Sequence, residues 1–120
     1  FWLDLAGEPV FSERMTSFDA KGRGSYAGRA VRFDTVRNWK LVSALLVNPH
    51  FGRQVRWSFV SRSLRALLLK EAAAAGAAPD LVARAASVLA QPAGNSHRNH
   101  FHIRIACSPD DQRQGCRDSR

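Results

Sequence analysis

The amino-acid sequence predicts an α+β domain: a small, mainly antiparallel sheet with helices packed on one face and the opposite face left open. Two observations carry this. Residues 1–6, 55–60 and 100–105 alternate between two sets of side chains with a period of two, the mark of half-buried strands. Between them lie stretches whose apolar residues recur at helical spacing, giving the order strand, loop, helix, strand, helix, helix, strand. A parallel βαβ arrangement of the middle strands is the alternative topology.

Taken in order, Phe1, Leu3 and Leu5 alternate with Trp2, Asp4 and Ala6, and Gly7-Glu8-Pro9 ends that strand. The pattern is lost over residues 10–30, where Lys21-Gly22-Arg23-Gly24-Ser25-Tyr26-Ala27-Gly28-Arg29 reads as a flexible loop. Its glycines lack the Gly-Lys-Ser/Thr ending of a phosphate-binding loop. A loop this long either borders a cleft or is plain surface. Asp34 can cap a helix from Thr35 to Val47, with Val36, Trp39, Val42 and Leu46 as an apolar stripe broadened by Leu41 and Leu45. Asn48-Pro49 stops it, and His50 reads as a loop histidine.

Val55, Trp57 and Phe59 are predicted to face inward from the next strand. Ser61 caps a helix carrying Leu64, Leu67, Leu68, Ala72 and Ala75, which Gly76 ends. Pro79 opens another, with Leu81, Val82, Ala85, Val88 and Leu89 on one face. Gln91-Pro92-Ala93-Gly94 breaks it. These leucine and aromatic stripes read as core.

The chain has 120 residues, 45% of them apolar, with three Trp and seven Phe, which suits one domain with a real core. No apolar run is long enough to span a membrane. The sequence opens directly in strand-like residues without a signal peptide, and is expected to be the C-terminal part of a larger domain. Loss of that domain's beginning would leave the fold marginally stable. The net charge of +8 favours anionic partners, yet the arginines are scattered and also fit a solvated basic surface. Cys107 and Cys116 flank a short polar loop and read as a disulfide rather than a metal clip, implying an oxidising compartment; two free thiols are the alternative.

Three of the four histidines stand at His97, His100 and His102. Alternation along a strand sends His100 and His102 to one side and Phe101, Ile103 and Ile105 to the other, where they can anchor a core. Two neighbouring imidazoles on an open sheet face can share a metal, or one can bind it while the other handles protons. A structural histidine pair is the plain alternative.

The segment His97-Arg98-Asn99-His100-Phe101-His102-Ile103-Arg104, followed by Cys107-Ser108-Pro109-Asp110 and Cys116, resembles the C-terminal motif of the penicillin-insensitive murein endopeptidases, within the lysostaphin, D-Ala-D-Ala peptidase and hedgehog group of zinc folds. Phe1-Trp2-Leu3 is similar to the strand after that family's second zinc ligand, and residues 55–69 to the strand and helix leading to the motif. The resemblance implies a periplasmic or secreted zinc endopeptidase that hydrolyses D-alanyl–diaminopimelyl cross-links of peptidoglycan and that β-lactams would not acylate. It makes His102 a zinc ligand, with a His and an Asp from a His-x6-Asp motif. It makes His100 the general base that deprotonates the attacking water, and His97 a further active-site histidine that binds substrate or handles protons. The chain departs from the family in lacking the His-x6-Asp motif, whose Asp would fall just before Phe1, and in carrying Asn95-Ser96 where the family has Trp-Gly. The chain alone would therefore bind zinc weakly or not at all and be inactive. Ser58, Ser61 and Ser63 receive no catalytic role. The alternatives are a D-Ala-D-Ala dipeptidase or carboxypeptidase of the same fold, and a non-catalytic wall- or nucleic-acid-binding module that uses its arginines. On the preferred reading no nucleic acid is expected.

Overall fold

The structure, a computed structural model, describes residues 1–11, 13–91, 93 and 97–118. The fold class is α+β, but the strands form two three-stranded sheets rather than one. In the first, β1 (Trp2–Asp4), β2 (Arg23–Tyr26) and β3 (Arg29–Phe33) pair antiparallel in the order β1-β3-β2. The hairpin β2–β3 corrects the predicted loop over residues 21–29. Ala27 and Gly28 hold φ of 48° and 76°, the left-handed pair that a tight two-residue hairpin turn requires. Its strands escape sequence reading because arginines and small residues fill them, and only Val31 is buried.

α1 (Thr35–Val47) begins where predicted: the Asp34 carboxylate accepts the Arg37 N–H at 2.9 Å. Trp39, Val42 and Leu46 are buried, whereas Val36 and Leu41 are exposed, so the buried stripe is narrower than predicted. Buried Asn38 donates to the carbonyls of Phe1 and Asp34 at 2.7 and 2.8 Å, tying the first sheet to the helix. A single helical turn at Gly52–Gln54 tucks under the end of α1 so closely that a Cβ on Gly52 would lie 2.4 Å from the Leu46 carbonyl oxygen.

β4 (Val55–Phe59) is followed by α2 (Arg62–Ala74), α3 (Pro79–Val88) and the two-residue strand β5 (Leu89–Ala90), which returns parallel to β4. β6 (His102–Ile105) pairs antiparallel on the other side, so the second sheet is mixed, in the order β5-β4-β6. The Ser61 hydroxyl caps α2 by accepting the Leu64 N–H, and Pro79 stands in the first turn of α3. Leu64, Leu68 and Ala72 of α2, Ala85 and Val88 of α3, and Val55, Val60 and Leu89 pack into one core with Trp39, Phe18 and Val31. Arg65 donates to the Leu89 and Ala86 carbonyls at 2.8 and 2.9 Å and fastens α2 to the end of α3.

Two predicted facings are corrected. Val55 is buried, but the next buried residue of β4 is Ser58, while Trp57 and Phe59 lie half-buried outside the core. The cause is a break in register: Val55 pairs with Ile105 and Trp57 with Arg104, leaving Arg56 as an extra residue. One inserted residue moves everything after it to the opposite face. Phe101, just before β6, packs against the core as expected, but Ile103 and Ile105 of β6 are 42% and 56% exposed. β6 is an edge strand, and α3 packs on β4 and β5, so the helices do not cover this edge. Among the described residues, no helix is long and apolar enough to cross a membrane.

Candidate histidine site

The bulge at Arg56 builds the site. It turns Trp57 and Phe59 to the face from which β6 projects His102 and Arg104, and the ladder sets Phe59 opposite His102 and Trp57 opposite Arg104. The Trp57 and Phe59 rings stack at 6.2 Å with an interplanar angle of 17°. The His102 ring meets Phe59 edge-on at 5.5 Å, and the Arg104 guanidinium lies 5.1 Å from the Phe59 centroid.

His97 completes the group from outside the strand. Its φ of 64° is rare for a residue with a side chain and signals local strain. The neighbouring backbone is fixed on both sides: the His97 carbonyl accepts the Ser61 N–H at 2.9 Å, and the Arg98 carbonyl accepts the Phe18 N–H at 3.1 Å. Held so, the His97 ring sits 5.1 Å from His100, 5.8 Å from His102 and 5.6 Å from Phe59. The His97 ring thus lies between the other two imidazoles, with Phe59 against His97 and His102. Burial, and then the positive charge that His100 and His102 carry when protonated, lower the His97 pKa below the ordinary histidine range.

His100 precedes β6 and is exposed; its Nδ1 lies 2.6 Å from the Asn99 Oδ1. An amide oxygen only accepts, so this bond assigns the ring proton to Nδ1 and leaves Nε2 as the basic nitrogen. His50 is remote in role: it is exposed, with its backbone N–H on the Asn48 side chain.

The carboxylates near the chain ends are committed to local structure. Asp4 accepts the Glu8 N–H and closes the turn after β1. Cys107 and Cys116 are disulfide-bonded, and the loop between them is not irregular: it holds a short helix, α4 (Pro109–Arg113). Ser108 and Asp111 form a reciprocal capping box at its start, and the Ser108 hydroxyl and N–H hold the Asp111 carboxyl below the usual range. Asp110 pairs with Arg113. Among the described residues, no group of three or more His, Cys, Asp or Glu side chains is arranged to hold a metal ion. Imidazole is a donor type that zinc accepts, but the donors present here do not make up a zinc ligand set. Pro92, Gly94, Asn95 and Ser96, read from sequence as the break before the histidines and as a departure from the family motif, lie outside the described residues.

Sequence reasoning missed Phe59, Trp57, Arg104 and Asn99 as neighbours of the histidines. The signal for the aromatics was present, because residues 57 and 59 share one face, but the facing depended on the bulge. The sequence and structure were compared with known proteins, and no family model, curated protein or solved structure matches the chain.

Proposed function

We propose that this chain is the C-terminal part of a zinc endopeptidase of the penicillin-insensitive murein endopeptidase type, which hydrolyses D-alanyl–diaminopimelyl cross-links in peptidoglycan. The observation that carries the reading is the contact of the His97 ring with both His100 and His102, within the segment whose spacing resembles that family's motif. On this reading His102 holds the metal together with a His and an Asp supplied from outside the chain. Zinc, when bound, supplies Lewis acidity that lowers the pKa of water and polarises an amide carbonyl. His100 is the general base: with its Nδ1 proton on Asn99, its Nε2 accepts the proton of the attacking water and later delivers it to the departing amine. His97, whose pKa burial lowers, stands within ring contact of both partners and is the further active-site histidine. Phe59 and Trp57 wall the site on the β4 side and limit the rotamers of His102. The Cys107–Cys116 disulfide supports an oxidising envelope location.

The test is hydrolysis of cross-linked muropeptides by the full-length protein. Activity that is lost with a chelator, restored by zinc, and abolished by His100→Ala and by His102→Ala is expected. Hydrolysis that survives both substitutions, or a full-length sequence without a His and an Asp in the His-x6-Asp arrangement upstream, overturns the reading.

A further inference from the structure

At the Cys107–Cys116 end of the second sheet lies a groove of about 940 Å³ whose lining includes Arg56, Trp57, Arg84, Arg104, Arg117 and Asp118. Among the described residues four arginines and one carboxylate residue line it, and that carboxylate already accepts the Cys107 N–H at 2.9 Å. Arg84 spends one N–H on the Val55 carbonyl at 2.6 Å, which fixes its position and keeps its charge beside the groove. The disulfide shapes the same wall: it tethers Cys116 to Cys107 and so brings Arg117 and Asp118 back against β6. Phe59 links the groove to the histidines, which do not themselves line it. Trp57 and Arg104 line it, and both contact Phe59, whose ring meets His102 and His97.

We propose that this groove seats a carboxylate-bearing peptide segment of the substrate and positions the adjoining amide at the histidines. The inference rests on the peptidase reading and adds to it the chemical class of the flanking segment. Several like charges around one concavity repel each other, and a bound anion relieves that repulsion while guanidinium forks grip carboxylates in a defined geometry. A peptide suits the groove better than a single-stranded nucleic acid. Binding of successive bases uses several exposed ring faces, whereas Trp57 is the one aromatic residue lining the groove among the described residues, and one of its faces is stacked on Phe59.

The test titrates the 120-residue chain with a synthetic tetrapeptide carrying two side-chain carboxylates and with its dicarboxamide analogue, followed by calorimetry at low ionic strength. The diacid is expected to bind on the order of tenfold more tightly than the diamide. Arg56→Gln combined with Arg117→Gln, two exposed positions, is expected to remove that preference with the melting curve unchanged. Reduction of the disulfide is expected to weaken binding, and His102→Ala to leave it intact. Equal affinity for diacid and diamide, an undiminished preference in the double variant, or displacement of the peptide by oligothymidylate at lower concentration would overturn the inference. The two readings fail separately. Acid-selective binding without chelator-sensitive hydrolysis by the full-length protein sinks the peptidase and not the groove. Hydrolysis with an unchanged KM in the double variant sinks the groove alone.

Discussion

Two aromatic clusters with similar ring separations but different ring angles sit in opposite surroundings. In one, Phe18 meets Trp2 at 5.9 Å and Phe33 at 5.6 Å, and all three rings join the core. In the other, Phe59 meets Trp57 at 6.2 Å and His102 at 5.5 Å, with Arg104 over its face and His97 beside it, and lies outside the core. The ring separations are alike; the ring angles differ, and so does what stands behind them. Phe18 is surrounded by other apolar groups, so its burial contributes mainly to stability. Phe59 has imidazoles and a guanidinium for neighbours, so its burial is partial and its main effect is to hold polar rings in place. Aromatic pairing alone does not identify a core; polar partners on the same face mark a surface made for chemistry.

This comparison can be broken experimentally, and the largest expected effect is on the core side. Phe18→Ala should cost about 3–5 kcal/mol in urea unfolding, because it opens a cavity among buried groups. Phe59→Ala should cost only about 1 kcal/mol, since less area leaves water there, while shifting the His97 and His102 ring resonances. Equal costs would erase the distinction between the clusters. Next in size, reduction of Cys107–Cys116 should cost about 2–3 kcal/mol. The β6 and α4 signals should shift more than those of Phe18 and Val31, as read by NMR. Asp34→Ala removes the cap of α1 on the core side and should cost about 1 kcal/mol, measured by thermal melting.

Smaller effects sharpen the open-face side. His97 should titrate below the ordinary histidine value of 6.5, first through burial and then through its histidine neighbours, as followed by its ring proton shifts. A depressed folded-state pKa means that the unfolded chain binds the proton more readily. The contribution of His97 to stability is therefore present above pH 6.5 and is lost as pH falls through the folded value. Substituting His100 and His102 should raise the His97 pKa only in part, since burial remains. Deleting Arg56 should change least: removal of the extra residue leaves Val55 and Ser58 inward and Trp57 and Phe59 beside the histidines, on a regular ladder. Loss of the Phe59–His102 proximity in that deletion would show that the bulge does more than shift register.

Much of the scaffold was legible before any coordinates. Asp34, Ser61 and Pro79 act within a turn of themselves, so their capping roles follow from neighbours in the chain. The stripe Leu64, Leu68 and Ala72 likewise needs only the helical period. The hairpin at Ala27-Gly28 was not legible, because its strands carry arginines and owe their order to pairing with β1 and with each other. Of the candidate site, the sequence supplied the three histidines as near neighbours in the chain; His100 lies outside β6, so strand periodicity does not set its facing. It could not supply Phe59, Trp57 or Arg104 as their neighbours, nor the exposure of Ile103 and Ile105.

By itself, then, the sequence determined the α+β class, the starts of α1, α2 and α3 and the clustering of His97, His100 and His102, all of which depend on residues a few positions apart, while α4 and the strand position of Leu89 escaped it. Tertiary structure alone decided that there are two sheets, that Arg56 is the unpaired residue of β4, and that four arginines from distant segments converge on one groove. The reason is physical. Capping and periodicity are set by short-range geometry, whereas register and charge convergence are set by which segments pair across the fold, and pairing is settled only when the whole core packs.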